Sequence, residues 1–311
     1  MRTNSVLRPL LSAIFVSLAL PPCHLSAQPA QSKQKAQSGQ VAWMTVDQAL
    51  GRPGTTQPDG VRRYSFPRSD LTVQLDGVTI KPALALGGWL AFQLMGSNAV
   101  VMGDLVLTPE EVNPVMSALL NGGINVTAVH NHLLRAVPQT IYMHVWGRGD
   151  PTRLAATLRA ALGQSHTPLA APAPPPAQPP ALDIDTAALD HSMGKAGKAN
   201  GGVYQFTFPR AEKIMDSGMA EGASMGTGTS INFQPLGGGK AATTGDFVLL
   251  ASEVDPVMRA LRSENIEVTA LHSHMLGEQP TIYFMHFWGV GQAAQLATGL
   301  KAALDKTNVQ R

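Results

Sequence analysis

The chain has 311 residues, of which 44% are apolar and 14% charged; that length suits about two domains, and that balance excludes a highly charged disordered chain. Its 23 basic and 21 acidic residues leave a formal charge of +2, too small to argue for nucleic acid or an anionic membrane as partner. Aromatics are only 5%, beside 30 glycines and 23 prolines, which favours a turn-rich α+β fold over a helical bundle.

Residues 1–27 read as a signal peptide. Arg2 and Arg8 form a basic start, Leu10 to Leu20 an apolar run, and Leu25-Ser26-Ala27 a cleavage site. The apolar run is too short to span a bilayer, and no later segment does so. The expectation is an exported protein, periplasmic or extracellular, without a transmembrane segment. Cys23 follows Pro21-Pro22, where a lipoprotein signal places small residues, so lipid anchoring there is not expected. The mature chain then has no cysteine, and any metal must be held by His, Asp, Glu or Met. Residues 28–40, rich in Gln, Ser and Ala, read as a flexible leader.

Two similar units follow, 41–163 and 182–306, joined by a linker at 164–181 that contains Ala171-Pro-Ala-Pro-Pro-Pro-Ala-Gln-Pro-Pro180. In chain order, Thr45-Val46-Asp47-Gln48 opens a short helix that stops at Gly51. Tyr64 to Arg68 and Tyr204 to Arg210 read as strands, and Leu71 to Ile80 as a hairpin turning at Asp76-Gly77. The corresponding stretch, Met215 to Gly228, suggests a looser or shorter hairpin. Gly103 to Leu107 and Gly245 to Leu249 are strands. Asn113-Pro114 and Asp255-Pro256 each look like a helix start, with proline in the first turn. Strands ending at His132 and His274, strands through His144 and His286, and final helices starting at Asp150-Pro151 in the first unit complete the pattern. The expected class is α+β: a tandem repeat, each unit a ferredoxin-like β-α-β-β-α half preceded by a β-rich half.

The repeat preserves a histidine constellation. His130, His132 and His144 recur as His272, His274 and His286 at one constant interval. Alternation puts His130 and His132 on one strand face, and a hairpin through Pro138 sets His144 opposite His130 or on its diagonal. Three imidazoles so placed make the ligand set of a catalytic zinc, and also suit copper or iron. Met143, Met275 and Met285 face away and belong to the core. Glu111 and Glu253, read as lying just outside the helices that begin at Pro114 and Pro256, are candidates for general base or fourth ligand. Asp104 and Asp246 are weaker candidates to support a histidine. Arg68 and Arg210 are expected to pair with those aspartates, and Trp146 and Trp288 to be core.

The string Gly103-Asp104, Glu111-Val112-Asn113-Pro114-Val115, Gly123-Ile124, Val126-Thr127-Ala128, His130-Asn131-His132-Leu133-Leu134, Pro138 and Tyr142-Met143-His144 resembles the LppY/LpqO family of bacterial cell-envelope proteins, in two tandem copies. The resemblance covers both units and implies a bacterial exported protein, but no reaction. Ser273 stands where the family has asparagine between the first two histidines.

The resulting expectation is an envelope protein that binds a divalent metal ion, zinc favoured, through a three-histidine cluster in each repeat, with metal-dependent hydrolysis as one outcome. The alternatives are a non-catalytic module for a metal or small-molecule ligand, and a structural protein whose histidines are hydrogen-bonded core. Whether the two repeats form separate sites or one shared site is left open by the sequence.

Overall fold

A computed structural model describes Met1 and residues 42–170 and 181–310. Beyond Met1, the segments read as signal peptide and leader lie outside the described residues, as does the centre of the linker. The first repeat runs α1 (42–50), β1 (Thr55–Thr56), β2 (Arg62–Pro67), β3 (Gln74–Leu75), β4 (Val78–Thr79), α2 (Pro82–Ala85), β5 (Gly87–Met95), β6 (Asn98–Leu107), α3 (Pro109–Asn121), β7 (Asn125–His130), β8 (Ile141–Gly149) and α4 (Pro151–Leu162). The second repeats it as α5 (Thr186–Met193), β9 (Lys198–Asn200), β10 (Val203–Pro209), β11 (Met215–Asp216), β12 (Met219–Ala220), a 3-10 turn (Ala223–Met225), β13 (Gly228–Gly237), β14 (Lys240–Leu250), α6 (Ala251–Ser263), β15 (Glu267–His272), β16 (Ile282–Gln292) and α7 (Ala293–Leu304).

Each repeat builds a six-stranded antiparallel sheet, ordered β1-β2-β5-β6-β8-β7 and β9-β10-β13-β14-β16-β15. The architecture is mixed α/β, two similar sheets with helices packed on them. One face of the first sheet, with Leu90, Phe92, Val101, Leu105 and Val145, packs on Val115 and Leu119 of α3 and Leu158 of α4. The second sheet does the same through Phe233, Phe247 and Phe287 under α6 and α7.

The opposite faces turn towards each other. Val106 and Tyr142 of the first repeat share a cluster with Val203, Ala242 and Trp288 of the second. Ala91, Val100 and Met102 share another with Ile214, Val248 and Phe284. Central strand β6 is therefore buried on both faces from Ala99 to Leu107, as an uninterrupted apolar strand should be. Polar ties lock the arrangement: the Thr127 hydroxyl donates to the His274 carbonyl at 2.6 Å, the Gln234 amide to the Thr79 carbonyl at 2.8 Å, and Trp288 Nε1–H to Asp76 Oδ2 at 2.9 Å.

Several local expectations change. Helix α3 starts at Pro109 rather than Pro114, and α6 at Ala251 rather than Pro256, so both prolines lie inside helices. Pro114 withdraws one amide and frees the Glu110 carbonyl, but Glu110, Asn113 and Pro114 are all exposed, so that oxygen is open to solvent. The strand before the histidine loop ends at His130, not His132. The second-repeat hairpin is as regular as the first, with Met215 pairing Ala220 as Gln74 pairs Thr79. The helix begun at Asp150 forms as expected, capped by that carboxylate on the Arg153 amide at 2.8 Å.

Candidate metal centre

All six recurring histidines converge, but on one place between the sheets rather than one in each repeat. Strand pairing sets His144 opposite Ala128 and His130 opposite Tyr142, so His130 and His144 are diagonal neighbours, two residues off direct opposition, and Tyr142 and His144 share the inward face. The second repeat matches it, with His286 opposite Ala270 and His272 opposite Phe284.

Facing sheets then interleave the rings. His130 and His272 stack at the centre, 3.5 Å between centroids. On one side Tyr142, His132 and His286 form a pile, at 3.5 and 3.6 Å. On the other side Phe284, His274 and His144 form its counterpart, at 3.3 and 3.7 Å. Each pile takes its last ring from the opposite repeat. Exchanging the repeats maps one pile onto the other, so a pseudo-twofold relation runs through the central pair.

The tautomers of two rings are fixed by backbone. His286 Nδ1 lies 2.9 Å from the Gly245 carbonyl, and His144 makes the same bond to Gly103. A carbonyl only accepts, so both Nδ1 atoms donate and both Nε2 lone pairs are left for a ligand. Glycine is needed at these positions. A Cβ on Gly245 would lie 2.0 Å from the Ser230 carbonyl oxygen, and one on Gly103 2.8 Å from that of Trp89. The recurring Gly-Asp pair thus combines a close strand approach with the carbonyl that orients the third histidine.

Among the described residues, nine imidazole nitrogens of this cluster are buried without a hydrogen-bond partner: both of His130, His272 and His274, and Nε2 of His132, His144 and His286. One carboxylate oxygen each of Asp104 and Asp246 is in the same condition. An unsatisfied buried polar atom costs about 1–3 kcal/mol. Four combinations bring ligand atoms within 4.8 Å of one another: His130-His132-His144, His130-His272-His286, His144-His272-His274 and Asp246-His274-His286. Two of the four draw histidines from both repeats. A tetrahedral zinc with bonds near 2.0–2.1 Å needs ligand atoms roughly 3.3 Å apart, so an ion held by any of these sets would draw its atoms together by up to about 1.5 Å.

Burial holds the imidazoles neutral. It lowers His130 to about 4 and His286 to about 3, and drives His132, His144 and His274 well below the usual histidine range, with the neighbouring rings adding to the effect. Burial likewise raises Asp104 and Asp246 well above the carboxylate range, opposed at Asp104 by Arg63. These aspartates flank the rings: Asp104 Oδ2 is 3.9 Å from His132 Nε2, and Asp246 Oδ2 is 3.7 Å from His274 Nε2. A cleft of about 1190 Å³ reaches His132, His274, His286, Asp104 and Asp246, and its wall includes Arg63, Trp89 and Gln205. Arg63 stacks on Trp89, 4.3 Å from the ring centroid. The stacking aromatics and this cleft wall were not visible in sequence, because nothing in a strand's period says which residues a second sheet will meet.

Glu111 and Glu253, expected beside the histidines, are placed elsewhere. Glu111 is the third residue of α3, where it accepts the Thr108 amide at 2.9 Å, the His166 amide at 2.8 Å and the Arg68 guanidinium at 2.7 Å. Burial alone would raise its carboxyl, yet the His166 amide and Arg68 hold it below its ordinary value. Glu253 accepts the equivalent hydrogen bonds from the Leu250 and Asn308 amides and from Arg210. Arg68 and Arg210 therefore pair with these glutamates, and with Asp70 and Glu212, instead of the recurring aspartates. Trp288 is core, as expected, while Trp146 is only half-buried.

The outer end of the second network gives a pH test. The Arg210 guanidinium holds the Glu212 carboxyl down at about 2, so its contribution to stability is present above the ordinary carboxylate range and is lost as pH falls through about 2. Glu212→Gln is expected to unfold at lower denaturant than wild type at pH 7, with the gap closing towards pH 2. Urea midpoints across that range measure it, and a gap constant with pH would contradict it.

No curated protein matches the chain. Among solved structures, a trimeric bacterial microcompartment shell protein, PduB, overlaps 81% of this chain and 89% of its own at 10% identity and a TM-score of 0.20. EtuB from Clostridium kluyveri overlaps 81% and 88%, at 10% identity and 0.19. Likeness at that level describes neither this fold nor its chemistry. The sequence profile described as Domain of Unknown Function (DUF1259) matches residues 44–164 and again 187–306, one match on each sheet with its helices. The chain therefore belongs to that family and carries its domain twice, with the six histidines where the two copies meet.

Proposed function

We propose that this is an exported envelope protein of the LppY/LpqO type that binds a transition metal ion, zinc favoured with copper or iron as alternatives, in one site shared by its two repeats. The observation that carries the reading is the set of nine buried, partnerless imidazole nitrogens contributed by both copies. A structural hydrogen-bonded cluster would pair those atoms with one another or with backbone; His144 and His286 each bond a neighbouring carbonyl and keep Nε2 free, and His130 has a backbone tie at Asn131. Neutral nitrogen donors, backbone-oriented tautomers and flanking carboxylates together suit a borderline metal better than a hard one.

Metal-dependent hydrolysis is the second reading, favoured by the cleft that leads from outside to the ring cluster. The carboxylates facing that cleft are Asp104 and Asp246, so a base would be sought there and not at Glu111 or Glu253. Elemental analysis of purified protein after zinc, copper or iron loading and gel filtration tests metal binding. Retention of metal at defined stoichiometry is expected; no retention under any loading would remove both readings.

A further inference from the structure

The two copies differ sharply at one buried place remote from the arginine networks. Equivalent backbone bonds align the small hairpins: the Ile80 amide donates to the Val73 carbonyl at 2.8 Å and the Glu221 amide to the Ile214 carbonyl at 2.9 Å. Gln74 bridges to Val137 as Met215 bridges to Gln279. This alignment puts Leu75 in the place of Asp216, Ile80 in that of Glu221, and Ala136 in that of Glu278. The first copy's three residues belong to an apolar cluster, with exposures of 2%, 3% and 7%. Their acidic counterparts are buried just as deeply, at 7%, 9% and 3%.

Three carboxyl groups therefore occupy positions where the same fold uses leucine, isoleucine and alanine. The hairpin needs no acid there. Glu221 is the sharpest case: both its carboxylate oxygens are buried without a partner. The charges acting on it are Asp216 and Glu278, both negative, and with burial they push its carboxyl up to about 8. Of the other two, Glu278 accepts the Ile282 amide at 3.0 Å and Asp216 the Ser217 hydroxyl at 3.3 Å, which leaves carboxylate oxygens of both for another partner. Acids in one copy at three positions that are apolar core in the other, one of them wholly unsatisfied, call for a positive partner that the side chains do not supply.

We infer that Asp216, Glu221 and Glu278 form a binding site for a hard divalent cation of the calcium class, present in the second repeat and absent from the first. Calcium takes six to eight oxygen ligands in flexible geometry. The three carboxylates are not all drawn within 4.8 Å of one another without an ion, so a bound cation would gather them, with water completing its shell. The chemistry is distinct from that of the imidazole cluster, which offers nitrogen.

The test is calcium titration of the full-length mature chain by calorimetry, with thermal melting in calcium against equal ionic strength of sodium chloride. Wild type is expected to bind one calcium with saturation by millimolar concentration and to melt higher in calcium. Glu221→Gln keeps the shape of the side chain and is expected to lose at least tenfold in affinity. The first-copy residues together, Asp216→Leu, Glu221→Ile and Glu278→Ala, are expected to abolish the calcium shift while giving a calcium-free protein at least as stable as wild type. His272→Ala, which breaks the nitrogen cluster, is expected to keep the calcium response. Absence of any calcium effect on wild type overturns the inference, as does a response that survives Glu221→Gln unchanged or disappears with His272→Ala.

Discussion

His272→Ala is expected to lower zinc affinity by at least about 100-fold, since even groups that only support a metal ligand are worth 10–100-fold, and to remove metal from the whole molecule rather than from half of it. His272 lies in two of the four candidate ligand sets, one with His130 and one with His144 of the first repeat. Independent sites would leave His130, His132 and His144 binding as before, and half the zinc would remain. Metal analysis of the single variant against wild type distinguishes the two. The stability effect is expected to change sign with metal. Without zinc, His272 carries two partnerless buried nitrogens, so truncation relieves a desolvation cost and leaves the melting point equal or higher, less whatever packing is lost. With zinc at 100 times its dissociation constant, wild type gains about 2.7 kcal/mol that the variant lacks. A variant equally destabilised with and without zinc would instead favour a purely structural cluster.

The second large effect lies away from the metal. Arg68 is fully buried and its guanidinium serves Glu111, Asp70 and the Val106 carbonyl. Arg68→Ala strands the Glu111 carboxylate, and breaking a buried pair by removing one partner costs about 3–5 kcal/mol, roughly 10 °C in melting temperature for a domain of this size. Arg210→Ala is expected to do the same in the second repeat. Zinc affinity of the folded fraction should be unchanged in both. Glu111→Gln belongs with them: a loss of stability with metal binding intact is expected, whereas loss of metal or of a metal-dependent activity from a stable protein would return Glu111 to the site.

Much of this was legible in the chain, and the misses have physical reasons. The duplication, the strands carrying the histidines, and helix α4 starting at Asp150-Pro151 follow from repetition, alternation and capping chemistry, all of them local. Two errors came from weighing one local rule too heavily. A start at Pro114 follows if a proline inside a helix is held to be too costly, but an exposed proline one turn in gives up one bond at a carbonyl open to solvent. Shifting the helix start moved Glu111 from its capping position into apparent freedom. The shared site was beyond local rules, because the strand period gives the face on which His130 or His144 lies and not what covers that face. One signal was present: Ala99 to Leu107 is apolar on both faces, apart from Gly103 and Asp104, and a strand of that kind is covered on both sides. The α3 and α4 helices cover only one, so something else had to cover the other. Asp216 and Glu221 were hidden by a shift of one residue between the copies in the hairpin, which breaks the constant interval that aligns the histidines.

The most direct measurement is anomalous diffraction at the zinc edge from crystals of the zinc-loaded protein. The account predicts a peak between the two sheets, bonded to His272 together with His130 or His144. A peak coordinated by histidines of a single repeat, or one found only on the outer surface with the six rings still partnerless, would contradict it.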